Sequence, residues 1–453
     1  MTIKKVIGNG FCVGCGACKV ASPDSVKIKF IASGFYEAKI QSEDKLVSSV
    51  CPFSSDSESE NLLGKHLYKD KNNFFDKRIG YYRNVYAGNV VDDDKRITAS
   101  SGGVTSWLTE RLLLDGEVDA IVHVGGDGNL FKYKISRTVS ELRCKHNKKS
   151  RYYPVTYNDL VDELLESKER IAFVGIPCFI KSIRLLQNEG FLSNIRFCIS
   201  LLCGHMKSSG FAESLSWQIG VKPDELKTVD FRVKKEGFPA SGYFFESENI
   251  FGDKFVTKNS ELLGSNWGMG FFRHKACGFC DDIGGELADV SFGDAWLPKY
   301  TSDYLGTNII IVRDELIDTL LNEYTQEVIL EKVDVNVFFE TQAGNYRNRR
   351  GGILALIEGK TDWYPKKRLE LCDDYKGNDK QNEIYRYRSK LSRFSIDYFN
   401  VAKKYKSLML FKLMIFPRLV KYNYLISGVR GGIKTIKIFF PMKFIKTTKN
   451  KGL

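Results

Sequence analysis

Apolar and polar positions along the chain sort into short runs that change period from two to 3.6. Val26–Phe30 and Phe35–Ile40 alternate around Ala32–Ser33–Gly34 and predict a hairpin, one of two expected within residues 1–55. Residues 56–80 are polar and charged, and read as a linker or lid. Asn84–Val91 predicts a strand, and the small-residue turn Ala99–Gly103 leads into an amphipathic helix over Val104–Leu114. Apolar runs at Val118–Val124, Arg170–Val174 and Ile195–Leu202 predict buried strands. Helices are expected between them at Asn158–Glu166 and Ile180–Gln187, and later at Leu316–Tyr324.

Strands alternating with helices predict an α/β layer with a mainly parallel sheet. Ligands of such sheets bind beyond the carboxyl ends of strands. Gly125–Gly126, Gly175–Cys178 and Cys203–Gly204 all fall at such ends.

The chain has 453 residues, 43% hydrophobic and 27% charged, which excludes a disordered chain and a small disulfide scaffold. No charge-free apolar run is long enough to span a bilayer, and the first residues lack a secretory apolar segment, so a cytoplasmic protein is expected. The net charge of +13 is concentrated: residues 401–453 hold 13 Lys and Arg and no Asp or Glu. The rest of the chain is therefore neutral, which argues against a nucleic-acid partner. Leu408–Phe416 is apolar around Lys412, and more Lys interleaved with Ile and Phe follows Pro417. Such a tail suits either peripheral contact with an anionic membrane surface or packing on a partner subunit.

Eleven cysteines in a chain without a secretory signal point to metal or redox chemistry. Cys12-x2-Cys15-x2-Cys18-x3-Ser22-Pro23 follows the bacterial ferredoxin run with its fourth Cys replaced by Ser. In two-cluster ferredoxins that fourth Cys serves the other cluster. Cys51-Pro52 can complete the first set, while positions 41, 44 and 47 are Gln, Asp and Val, so the second ferredoxin cluster has no ligands. The spacing predicts one 4Fe–4S cluster on Cys12, Cys15, Cys18 and Cys51; a four-thiolate zinc site is the alternative. Cys277-x2-Cys280 is a second pair. With Cys178 and Cys203 at adjacent strand ends, it makes either a second 4Fe–4S site or a zinc or redox dithiol beside two core cysteines.

The series Ser100-Ser101-Gly102-Gly103, Lys149-Ser150-Arg151-Tyr152, Gly175-x-Pro177-Cys178, Cys277-x2-Cys280-Asp281 and Ala288-Asp289-Val290-Ser291-Phe292-Gly293-Asp294 resembles the coenzyme F420 hydrogenase/dehydrogenase beta subunit family. The resemblance covers roughly residues 5–350. It implies a ferredoxin-like 4Fe–4S module (1–55), a linker (56–80), an N-terminal α/β domain (81–225) and a C-terminal domain (226–375). A basic extension follows (376–453). The implied fold combines α+β and α/β: a ferredoxin-like module on an α/β flavin-binding core. The implied activity is that of an oxidoreductase relaying electrons between clusters and FAD, with a redox partner protein or reduced ferredoxin and a small substrate or coenzyme. Surface-polysaccharide metabolism is one setting in which relatives occur. A non-catalytic electron-transfer subunit is the alternative.

The same resemblance places Ser100, Ser101, Gly102, Gly103, Gly175, Pro177, Asp289, Gly293 and Asp294 at the flavin. A helix N-terminus after Gly103 suits a pyrophosphate. The family's Gln after the Gly-x-Pro-Cys turn is Phe179 here. Asp289 and Asp294 read equally as turn caps. Lys145, Lys148, Lys149 and Arg151 form a basic run near the expected cofactor or a solvated face. His205 reads as a proton donor near Cys203 or as a loop histidine.

Overall fold

The computed structural model of the protein describes residues 2–42, 44–126, 130–144, 149–358 and 363–439. Among them, the largest layer is an eight-stranded sheet. Its strands are β1 (Asn84–Val90), β2 (Ala120–Gly126), β3 (Phe131–Ser136), β4 (Ile171–Gly175), β5 (Ile195–Leu201), β6 (Val290–Asp294), β7 (Asn308–Val312) and β8 (Val328–Lys332). The spatial order is β8-β1-β7-β6-β5-β4-β2-β3. The four central strands β6, β5, β4 and β2 run parallel, so the expected parallel layer is the middle of the sheet. Both flanks are antiparallel. Every residue of β4 is buried, as a strand covered on both faces requires, and this is why its sequence is a continuous apolar run.

Helix α1 (Val104–Leu114) buries Val104, Trp107, Leu108 and Leu112 on one sheet face with Ile121, Ile199 and Ile310. Helix α2 (Pro177–Asn188) covers the other face through Phe179, Ile180, Ile183 and Leu186. It begins earlier than the apolar pattern suggests, because Pro177 occupies the first helical turn, where its missing N–H costs nothing. Cys178 therefore sits in the first turn of α2.

The cysteine-bearing N-terminal segment packs on the α2 face, burying Val6, Phe11, Val13, Ala17 and Phe53 in the same core. It carries one hairpin among the described residues, Val26–Ile31 paired with Phe35–Ile40, and not two. After the hairpin, Asp44 caps a short helix, Lys45–Ser49, by accepting from Leu46 N at 3.1 Å.

Residues 56–80 are not a linker. Helix Glu60–Tyr68 buries Leu63 and Tyr68, and the Tyr68 hydroxyl donates to the Leu287 carbonyl at 3.0 Å. The charged residues that disguised it are partly paired inside the protein: Lys181 and Arg368 both reach Glu60.

A three-stranded antiparallel sheet, Leu226–Val233, Phe244–Asn249 and Lys254–Lys258, forms a second layer. Its Val229, Phe231 and Phe245 share a core with the C-terminal helices α5 (Asp379–Lys404) and α6 (Leu408–Phe439), which are preceded in the chain by α3 (Val335–Tyr346) and α4 (Gly352–Ile357). The basic extension is thus built into the body as far as it is described. No helix of the described residues is long and apolar enough to cross a membrane.

Candidate functional site

All eleven cysteines are free thiols. Cys18 is pushed well above the usual thiol range by burial and then by Cys15, Cys12 and Cys51. Those four come together. Burial raises Cys12 to about 11, opposed by backbone N–H groups, one of them Ala38 N at 3.3 Å from its Sγ. Gly14 sits at φ +64°, and a Cβ there would meet Tyr36 at 2.4 Å, so the loop closes on the hairpin only with glycine.

The second set also converges. Cys178 is raised by burial and then by Cys280, Cys203, Cys277 and Cys15. Cys178 comes from α2, Cys203 from the end of β5, and Cys277 and Cys280 from the turn Lys275–Phe279. Met206 N donates to Cys277 Sγ at 3.2 Å. Among the described residues, no three His, Cys, Asp or Glu side chains converge on a single-ion position.

The two sets are neighbours: Cys15 and Cys178 pack in one hydrophobic cluster. Between them stands an aromatic block. Tyr133 stacks on Phe173 at 5.3 Å and on Phe179 at 5.9 Å, and Tyr157 donates to or accepts from Ser182 Oγ at 2.8 Å. Phe179 is fully buried in this block. His274 stacks edge-on to Phe35 at 4.5 Å, and its Nδ1 accepts from Ala276 N at 3.1 Å. Burial lowers its pKa to about 4, so it is a neutral strut between the cysteine segments.

A cavity of about 300 Å³ opens at the carboxyl ends of β4 and β5. Cys203 lines it, as do Ser100, Ser101, Gly103, Gly175, Gly293 and Asp294. Gly102, Pro177 and Asp289 do not. Asp289 is a core carboxylate: it pairs with Arg184 at 2.8 Å and accepts from Cys198 N at 2.7 Å. Pro177 starts α2, and Gly102 is wedged against Gly88 O and Asn308 N, where a Cβ would stand 2.7 and 2.9 Å away.

The N-terminus of α1 faces the cavity. Gly103 precedes it at φ +86°, and Asn308 Oδ1 accepts from Val104 N at 3.1 Å. Three carbonyls of the surrounding loops, Arg96, Ser101 and Leu305, accept from Lys234 Nζ at 2.6, 2.8 and 2.5 Å. Lys234 lay outside the sequence motifs, and only the tertiary fold makes it a clamp. Lys149 and Arg151 line the cavity, with Lys149 paired to Asp230 at 2.6 Å. Lys145 and Lys148 lie outside the described residues. His205 lines the cavity wall against Trp267 at 4.4 Å, with its Nε2 buried and without a hydrogen-bond partner among the described residues, and burial holds it neutral.

A second cavity of about 510 Å³ adjoins the first, and the two share Tyr152, Leu202, Gly204, His205, Trp267 and Asp294. Asp294 accepts from Arg232 Nη2 at 3.0 Å, so the aspartate at the junction is neutralised.

A mixed α/β core with two neighbouring sets of buried and half-buried thiols, one of them opening on a strand-end cavity, defines a protein of the redox type. The chain belongs to the coenzyme F420 hydrogenase/dehydrogenase beta subunit family, a family of oxidoreductases. The family's N-terminal model matches residues 85–162 and its C-terminal model residues 168–337, together more than half of the chain. The chain is 24% identical to the coenzyme F420 hydrogenase subunit beta of Methanococcus voltae, over 57% of this chain and 86% of that protein. It is 23% identical to the coenzyme F420-dependent sulfite reductase of Methanocaldococcus jannaschii over 73% of this chain, a match that spans about half (49%) of that longer protein. Among solved structures, the F420-reducing NiFe hydrogenase complex of Methanosarcina barkeri has a chain with TM-score 0.46 and 15% identity, covering 64% of this chain and 99% of that one.

Proposed function

We propose that the protein is a flavin- and iron–sulfur-dependent oxidoreductase that moves electrons between two 4Fe–4S clusters and FAD to reduce or oxidise a small substrate. Cys12, Cys15, Cys18 and Cys51 of a ferredoxin-type module would hold one cluster, and Cys178, Cys203, Cys277 and Cys280 the other. Such clusters carry single electrons, and FAD exchanges one or two.

One observation carries the reading: Cys15 of one thiol set and Cys178 of the other pack in a single cluster, and Cys203 of the second set lines the cavity. The donor sets fit clusters. Each is a set of four thiols, buried or half-buried, and thiolates are the ligands such clusters take. The cavity fits a dinucleotide's phosphates through Gly103, the α1 N-terminus and the basic wall of Lys149 and Arg151. Tyr133, Phe173 and Phe179 keep water out of the region between the sets. The proposed setting is the cytoplasm, which free cysteines suit. A redox partner, protein or reduced ferredoxin, would deliver or take electrons at the N-terminal module.

We assign α6 a peripheral contact with anionic lipid. Its Phe411, Ile415, Leu419 and Tyr422 are buried against α5, yet Met409, Leu413 and Tyr424 on the opposite side are exposed. Beyond the break at Ser427 and Gly428, Val429, Ile433 and Ile436 are exposed as well.

Metal and flavin analysis of protein purified without oxygen tests the reading. Bound iron, sulfide and flavin are expected, and a colourless chain containing zinc would end it.

A further inference from the structure

Two lysines are buried among the described residues, and they are held differently. Lys181 pairs with Glu60 at 3.2 Å. Lys207, 1% exposed, pairs with no carboxylate among the described residues. Its Nζ donates to the Phe271 carbonyl at 2.6 Å and lies over the rings of Phe211 and Trp267 at 4.4 and 4.8 Å. A carbonyl and two ring faces receive an ammonium but do not cancel its charge. Lys207 also lines the strand-end cavity.

The charged groups around Lys207 do not supply the missing anion. Burial, and then Arg273, which a backbone bridge joins to Lys207, hold its pKa well below the ordinary lysine range, and Cys277 pulls weakly the other way. His205 is itself neutral. Glu213, on the helix that carries Phe211, is spent on Lys403 at 2.7 Å. The acids of the cavity are spent as well: Asp294 on Arg232 at 3.0 Å, and Glu110 on Arg143 at 2.9 Å. Nζ makes no hydrogen bond to a cysteine among the described residues, so Lys207 is no part of the thiol sets. A buried ammonium without a counter-charge is costly, and the resting amine is therefore neutral. It sits in a place shaped for a cation, beside a cavity into which negative charge can be delivered.

We infer that Lys207 is the proton acceptor of flavin reduction: as two electrons enter the cavity, its amine takes up one proton, and the ammonium balances the added charge. The inference rests on the reading that this cavity holds the flavin. Two electrons and one proton convert a bound flavin to its reduced anion, which leaves one negative charge in the cavity. A second proton, drawn from solvent onto Lys207 Nζ, cancels that charge. The ammonium then rests on the Phe271 carbonyl and on the faces of Phe211 and Trp267. When the electrons leave, the proton leaves with them, and no bond forms between Lys207 and the cofactor. The reductant is the redox partner of the proposed function, replaced in the test by dithionite.

The test counts protons. In the flavin-loaded full chain the midpoint potential of the flavin is titrated at several pH values above neutral, and proton uptake is read with a pH indicator. The parent is expected to take up about two protons per electron pair and Lys207→Met about one, so the slope of potential against pH halves in the variant. Lys207→Arg stays charged throughout. It is expected to halve the slope too, but to hold the flavin at a higher potential than Lys207→Met does, a difference that a merely structural residue would not produce. One proton per electron pair in the parent overturns the inference, whether or not the variants fold. So does a slope that Lys207→Met leaves unchanged, or one that His205→Asn halves in its place. A chain that binds no flavin overturns the proposed function, and the inference with it, whereas the other results overturn the role of Lys207 alone.

Discussion

The guanidinium of Arg349 donates through Nε to the backbone carbonyl of Cys280 at 3.0 Å. The same group donates to the carbonyls of Cys203 and of Asp282. One buried cation thus ties together two of the loops that bring Cys178, Cys203, Cys277 and Cys280 to one place. Arg349 also lowers the Cys203, Cys277 and Cys280 thiols against the upward push of burial.

Replacing this residue separates structure from tuning. Arg349→Lys keeps the charge and loses the fork, and Arg349→Gln loses the charge. The glutamine variant is expected to lose about 2–5 kcal/mol of stability, because buried carbonyls are left short of donors. At full iron content it is also expected to lower the reduction potential of one cluster, since a nearby cation favours the reduced form. A redox titration followed by electron paramagnetic resonance reads this. Lysine should restore most of the potential but not the stability. Identical potentials in all three proteins would show that Arg349 is only a brace.

His123 sets a pH dependence. Burial, and then Lys134, lower its pKa to about 4, and its Nε2 shares a hydrogen bond with Ser136 Oγ at 2.8 Å. The unfolded chain binds its proton near pH 6.5, the folded chain only near 4. The stability from this group is therefore complete above pH 6.5 and falls by about 3 kcal/mol as pH drops toward 4. Denaturant melts at several pH values should show that His123→Gln flattens the slope within this window. An unchanged slope would reassign it to other groups.

Much of this arrangement is legible in the sequence. Helix α1 has the limits that its apolar period predicts, and β4 and β5 match their apolar runs to within a residue or two. The spacing of Cys12, Cys15 and Cys18 identifies a loop, and the tertiary fold brings Cys51 to it. What could not be read depends on long-range pairing. Asp289 looks like a turn residue beside the cofactor, but Arg184, far away in sequence, makes it a core ion pair. Residues 56–80 look solvated, yet Glu60 is charged only because Lys181 and Arg368 meet it inside the protein. Arg349 belongs to an arginine-rich stretch whose sorting into different surroundings follows from a π-turn that carries no sequence signature.

Gly103 tests the cavity directly. At φ +86° any side chain is strained, and its Cβ would meet Val90 Cγ2 at 3.0 Å. Gly103→Ala is expected to cost about 1–3 kcal/mol and to reduce bound flavin per chain while leaving iron unchanged. Absorbance and iron assays on one preparation check both. Full flavin content in this variant would place the nucleotide elsewhere.

The outer side of α6 makes a separate claim. Exchanging Met409, Leu413 and Val429 for Gln, each exposed by more than half, should leave the fold intact. It should abolish co-sedimentation with vesicles rich in phosphatidylglycerol, and the unaltered protein should bind these but not phosphatidylcholine, less so at high salt. Equal sedimentation of variant and parent would remove the membrane from the account.

On the proposed reading the two cysteine sets hold two neighbouring clusters, one of them beside the flavin cavity. The most direct measurement is iron, sulfide, zinc and flavin per chain in anaerobically purified protein, compared with Cys15→Ser and Cys178→Ser. The account predicts about eight irons and about one flavin in the parent, and about four irons in each variant. Four irons in the parent, unaffected by Cys178→Ser, would reduce the second set to plain thiols. Zinc in place of iron, with no flavin, would contradict the account altogether.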